Sequence, residues 1–385
     1  MRTKQIITFG PHLNTEQIRT LKAENPDLIF VFGNPEYFKH GLLGKYLKEL
    51  FPATRIVGCS TAGEISGEGV FERSLVLTAV SFDSVRVEIA QISLDGMENS
   101  LQCGASLARS LVRPGLGYVF LLGPGLNING SSLIRGMKGV LPANVPVTGG
   151  LAGDEGKFIR TYTLADEETS ENKIIGIGFY GDDIQVSYSS FSGWQEFGVP
   201  RLVTRARENI LYELDGEQAL EVYKRYLGPY SKDLPFAGLL FPFSISEKGS
   251  SDDGVVRTIL GINEKEGSLI LAGEVRQNSH LRLMSSSINE LVTGARKAAE
   301  HIRIPHQLRE SNSLALLVSS VGRKLVMGER VEEEVETVSG ILGSRVTLAG
   351  FYSNGEICPG FGGSCDSQLH NQTMTITYLS ELPAA

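Results

Sequence analysis

The chain is poor in cysteine and tryptophan, with four and one in 385 residues, and it has no surplus of basic side chains. Its 36 Lys and Arg against 44 Asp and Glu leave a net charge of -8. Four cysteines over this length give no disulfide framework of the kind that staples small secreted domains. A negative chain without a Lys/Arg cluster lacks the electrostatic footprint of nucleic-acid binding, so nucleic acid is excluded as a partner. Long apolar runs are missing as well. The longest, Ser313 to Val321, is strand-sized and falls short of the ~18 residues of a membrane helix. The opening MRTKQIITFGPHLN turns polar after Phe9 and has no signal-peptide core. A cytoplasmic protein of two or three domains, without membrane contact, is expected.

What the chain does contain is a repeat. The segments VGCSTAGE (Val57 to Glu64), VTGGLAGD (Val147 to Asp154) and AGFYSNGE (Ala349 to Glu356) align without a gap, and each ends in Gly followed by an acid. An apolar run precedes each of them: LIFVFGN, GYVFLLG and SLALLVSSVG. A stretch with apolar residues at helical spacing follows each run: Leu42, Leu43, Tyr46, Leu47 and Leu50; Leu133, Ile134, Met137 and Val140; Val331, Val335, Val338 and Leu342. Glu332 to Glu334 and Glu336 are expected on the solvated face of the last helix. A further strand, SLVLTAVSF, IIGIGFY or TMTITYL, closes each unit. Such self-similarity predicts an α/β fold with mixed sheets built from repeated strand–helix–strand units and covered by helices. Different material lies between the second and third units: a helix at GEQALEVYKRYLG, strands at FAGLLFPF, VVRTILGI and SLILAGEV, and a helix from about Ile288 to Ile302. Gly, Pro and polar residues from Ser192 to Arg207 interrupt the pattern, so two regions, 1–200 and 201–385, are expected.

GCSTAGEI, GEQALEVYKRYLG and AGFYSNGEICP followed by LHNQT, in that order, resemble the FIST family of bacterial and archaeal sensory proteins, with its N-terminal and C-terminal regions. The resemblance runs from about Leu28 to Tyr378. It implies a cytoplasmic sensor of a small ligand, an amino acid or related metabolite. No kinase, receiver, cyclase or methyl-accepting segment is present, so the signal would pass to a separate output protein. It also implies an alternative, a haem-binding nitric oxide sensor regulating a histidine kinase or a cyclic-di-GMP enzyme. An enzyme of unknown specificity ranks third; the leading expectation is that the chain is not an enzyme.

The expected ligand-binding residues are Cys59, Ser60, Thr61, Glu64, Tyr352, Ser353 and Glu356. Glu64 and Glu356 could accept from a ligand ammonium, while Ser60, Thr61, Ser353 and turn N–H groups serve a carboxylate. Alternatively each acid caps the following segment or pairs with an Arg such as Arg73 or Arg160. Both readings stay open for Glu64 and Glu356, and the second is preferred for Asp154. Cys59 follows a strand as nucleophiles often do, but GCSTAG is not G-x-S-x-G, and the other copies carry Gly149 and Phe351 there, so a packed or ligand-touching thiol is expected. Cys358, Cys365 and His370 match no zinc signature, and no metal is expected. For haem the candidate ligand is His370. It opens the last strand on the parity of Met374 and Ile376 and so faces inward; its alternative is a core histidine bonded to a loop. His12 and His40 sit at helix starts, His280 and His306 in loops, and His301 on a polar flank. GPGLNINGSS (Gly123 to Ser132) lacks both G-x-G-x-x-G and GK[ST], which leaves at most a small anion at that helix N-terminus.

Overall fold

Each continuous apolar run becomes a central strand, covered on both faces because sheet packs on sheet and helices pack behind. The computed structural model describes residues 1–10, 13–246, 254–309, 311–360 and 365–382. Three units repeat one kit of strands. The first has an outer strand Arg2–Phe9, a first strand Leu28–Gly33, a second Arg55–Ser60, a hairpin Glu64–Ser66/Gly69–Phe71 and a last strand Ser74–Ser81. The second has Arg86–Ser93, Leu116–Gly123, Val147–Leu151, the hairpin Thr163–Ala165/Glu168–Ser170 and Lys173–Tyr180. The third has Ile184–Phe191, Ser313–Ser320, Val346–Ser353, the hairpin Gly355–Pro359/Ser367–His370 and Met374–Glu381.

Every unit orders its strands outer, last, first, second, with the first and second parallel and the other pairs antiparallel. The fifth and sixth places are filled from elsewhere. The hairpin of unit one pairs with the second strand of unit three (Ile65 opposite Gly350), that of unit two with unit one (Leu164 opposite Gly58), and that of unit three with unit two (Glu356 opposite Gly150). The exchange closes a cycle, so each six-stranded sheet is completed by another unit.

Helices cover the outer faces: α1 (Leu43–Leu50), α2 (Ser100–Leu111), α3 (Gly130–Lys138), α4 (Ala219–Leu227), α5 (Ile288–Glu300), α6 (Val321–Met327) and α7 (Glu332–Leu342). The inner faces share one core, where Phe30 meets Phe120 edge-on at 5.7 Å and Phe32 meets Phe351 at 4.7 Å. Between the outer strand of unit three and α5, the described residues of 195–246 and 254–285 form a separate eight-stranded sheet with α4 over its own core of Val203, Leu211, Leu220, Tyr223, Phe243 and Leu269. The mixed α/β architecture is as expected from the repeat. Four details differ. The interval from Ser192 to Arg207 is not an irregular joint but carries the long strand Gln195–Arg207, and His280 starts a strand, His280–Ser285. His370 ends a hairpin strand rather than opening the last one, because Gln372, at φ 61°, turns the chain before Met374. Glu334 does not face solvent: it is fully buried on α7.

Candidate functional site

The three aligned turns are not separate corners. Ala62 N–H donates to the Tyr352 carbonyl (2.9 Å), Tyr352 N–H to Gly63 (2.8 Å), Gly153 N–H to Ser60 (2.8 Å) and Asn354 N–H to Leu151 (3.1 Å), so the turns close a ring. A Cβ at Gly153 would stand 2.6 Å from the Ala62 nitrogen and 2.9 Å from the Tyr352 oxygen, which explains the glycine where three chains converge.

The expected ligand contacts are used inside this ring. Glu64 accepts from Thr61 Oγ1 and from both the backbone N–H (3.2 Å) and hydroxyl (2.7 Å) of Ser74. Glu356 repeats the pattern, accepting from Ser353 Oγ (2.8 Å) and from the N–H (3.1 Å) and hydroxyl (3.0 Å) of Thr373. In both cases the acid ties its turn to the start of the unit's last strand. Burial raises Glu64 to about 7 and Glu356 to about 8, against the pull of these donors. Asp154 instead accepts N–H bonds from Phe158 (2.9 Å), Ile159 (2.6 Å) and Arg160 (3.0 Å), capping its own loop. Ser60 Oγ donates to the Gly153 carbonyl (2.7 Å) and accepts from Tyr162 N–H (2.8 Å). Tyr352 OH donates to Glu334 (2.7 Å). Cys59 lies in the central core, where burial pushes its thiol well above the usual range. Six of the seven expected ligand residues thus hydrogen-bond within the fold, Cys59 packs in the core, and none of the seven lines the cleft described below.

The candidate haem ligand is engaged within the fold as well. His370 Nε2 is 3.1 Å from the Cys358 carbonyl across its own hairpin, and desolvation lowers the imidazole to about 4. That nitrogen is committed, and His370 does not line the cleft described next, so the residues do not fit haem. His12 lies outside the described residues. Among the described residues no cluster of three His, Cys, Asp or Glu could hold a metal ion.

A cleft of about 320 Å³ opens instead between α3, the inserted sheet and the hairpin strand of unit three. Arg257, on the short strand Val255–Arg257, forms its inner wall and is only 7% exposed. Its Nη1 donates to the carbonyls of Val256 (3.1 Å) and Leu369 (3.0 Å), and its Nε reaches that of Glu274 at 3.4 Å. Burial lowers the guanidinium to about 10, which leaves it charged at neutral pH. Ser131, in the first turn of α3, brings a buried hydroxyl without a partner. Ile134 and Leu369 add apolar wall, while Arg135 pairs with Glu274 (2.9 Å) and Lys138 with Asp366 at the rim. A signal for Arg257 was present in the sequence: a lone cation in the apolar run VVRTIL is either at an edge or buried for a reason. Ser131 belongs to the segment noted for a small anion.

The FIST N domain model matches residues 27–217 and the FIST C domain model residues 219–359. An uncharacterized protein of Methanocaldococcus jannaschii is 24% identical over 197 residues; the match takes in 48% of this chain and 38% of that protein, so the chain spans well under half the length of that relative. Among solved structures, cyanuric acid hydrolase from A. caulinodans is similar over 98% of this chain and 99% of its own, at 8% identity and a TM-score of 0.39. A second cyanuric acid hydrolase structure is similar over 99% of both chains, at 10% identity and a TM-score of 0.36. Both neighbours are enzymes by name, against the expectation that the chain is not an enzyme, and that expectation is not kept. A likeness this loose carries nothing about the chemistry of the cleft. Among the described residues no helix is long and apolar enough to cross a membrane.

Proposed function

We propose, from the premise that this chain belongs to the FIST family of sensory domains, that it binds a small metabolite in the cleft between its FIST N and FIST C parts and passes the signal to a separate output protein. The observation that carries this is the joint lining. Ser131, Ile134 and Arg135 come from the first matched region, and Arg257 and Glu274 from the second. A ligand held by both parts binds more tightly in one docking geometry than in another, and that difference in affinity is what a sensor needs. The cavity is at the small end of the ~300–1,000 Å³ usual for ligand sites, which suits an amino acid or related metabolite.

The LHNQT segment is placed to carry the signal. Leu369 accepts from Arg257, Gln372 Nε2 donates to the Leu239 carbonyl of the insert (2.7 Å), and Thr373 holds Glu356 in the ring of turns. A shift of the insert therefore reaches the centre of the three-sheet core. The output protein, a histidine kinase or cyclic-di-GMP enzyme on the family resemblance, would meet a surface that moves with it.

Native mass spectrometry of the protein as purified tests the site. A metabolite-sized adduct in wild type that is lost in Ile134→Trp, which fills the cleft, is the expected result. An adduct kept at unchanged affinity in that variant would put the ligand elsewhere. A compound consumed rather than retained would make the cleft an active site.

A further inference from the structure

Arg257 brings a positive charge into the cleft wall and, among the described residues, has no carboxylate within ion-pair distance; Glu274 acts on it only from further off. Among the described residues its partners are three carbonyls, one of them at 3.4 Å, and its Nη2 has none. A buried charge without a directly bonded counter-ion is one of the most expensive features a fold can keep. Ser131 Oγ, also buried and unpartnered, bounds the same space. A Cβ at Gly273 would stand 2.6 Å from Arg257 Nε and 3.0 Å from Ser131 Oγ, so the missing side chain is what keeps the gap in front of both groups open. Glu274 and Asp366, which could have neutralised Arg257, are turned to Arg135 and Lys138.

Resting on the sensor reading above, we propose that the ligand is a small carboxylate, with its anionic group held by Arg257 and Ser131 and its carbon skeleton against Ile134 and Leu369. The planar guanidinium fork matches a carboxylate in two parallel hydrogen bonds, and a hydroxyl at its side adds a third. Four cationic side chains line the cleft against two carboxylates. Glu274 and Asp366 at the rim would repel a dianionic phosphate more than a single carboxylate.

The test uses the full chain and simple probes. Thermal unfolding is followed in sodium formate, acetate, phosphate and chloride at equal ionic strength and neutral pH, for wild type, Arg257→Gln and Gly273→Ala. General salt effects act on all three proteins alike, so the readout is the shift relative to chloride in wild type minus that in each variant. Formate or acetate should protect wild type more than either variant, with phosphate doing less. An equal shift in wild type and both variants, or a larger specific shift with phosphate, would overturn the carboxylate assignment. Should Arg257→Gln not fold, Ser131→Ala replaces it with the same expectation. For an acid recovered from the purified protein, the dissociation constant should rise roughly tenfold to a hundredfold in Arg257→Gln. A neutral metabolite displaced by Ile134→Trp would sink the carboxylate while keeping the sensor site. Specific formate protection with a metabolite that ignores Ile134→Trp would do the reverse.

Discussion

Two arginines are buried in the described structure, Arg323 and Arg257, and they differ in what surrounds them. Arg323 forks onto Glu334 through Nε (3.1 Å) and Nη2 (2.6 Å), and its remaining donors reach the Leu291 carbonyl (2.9 Å) and that of Ser192. Glu334 in turn accepts from Ser319 Oγ (2.9 Å) and Tyr352 OH (2.7 Å). That network is complete, and it locks α6 and α7 onto the third sheet. Arg257 has the same chemistry and nearly the same burial but, among the described residues, no acid within ion-pair distance and one amine without a partner. Burial of a charge therefore does not mark a binding site by itself; unfinished hydrogen bonding beside an open cavity does. By that measure Glu64 and Glu356 belong with Arg323, since their oxygens are filled by the hydroxyls and N–H groups of their own units.

Breaking the complete network should have the largest effect. Glu334→Ala leaves Arg323 buried and unpaired and should cost about 3–5 kcal/mol in urea unfolding. Arg257→Met in ligand-free protein should cost less, about 1–2 kcal/mol, because it removes a buried charge bonded to carbonyls rather than to a carboxylate. Equal losses in the two variants would erase the distinction between the arginines.

The turn acids sharpen the comparison through pH. Glu64 and Glu356 are raised from 4.5 to about 7 and about 8, so folding favours their protonated forms. Their contribution is fully present below the unfolded value and is lost as pH rises through about 7 and about 8, on the order of 3 kcal/mol for Glu64 alone. Glu64→Gln with Glu356→Gln should flatten this decline in a pH series of unfolding curves. A wild-type profile already flat over that window would show that the acids are not confined as described.

Smaller effects should follow from single donors. Thr61→Val or Thr373→Val should cost roughly 1–3 kcal/mol by leaving a buried carboxylate oxygen short of a partner, with ligand affinity by calorimetry unchanged. Cys59→Ala should cost about 1 kcal/mol, the price of one deleted core atom. The Cys59 thiol in native wild type should resist iodoacetamide.

The repeat, its central strands and the helices over them were legible because each rests on local pattern: apolar runs, helical spacing, and a Gly–acid ending. The hairpin exchange was not, since Ile65 finds Gly350 across most of the chain and nothing in either segment names its partner. The acids were picked out correctly as special, but the donors that satisfy them, Ser74 and Thr373, open strands ten and seventeen residues later and look like ordinary strand starts. Glu334 looked solvated among its acidic neighbours because the arginine that buries it lies on the preceding helix. The cleft needed the fold itself: Ser131, Arg257 and Gly273 meet only once the insert docks on α3.

Isothermal titration of wild type, Arg257→Gln and Glu64→Gln with the same carboxylic acid, chosen as the one that most protects wild type against heat, compares the cleft and the turns directly. Binding that is lost in Arg257→Gln and kept in Glu64→Gln is the expected result. Binding lost in Glu64→Gln and kept in Arg257→Gln would return the ligand to the ring of turns and contradict the assignment of the cleft.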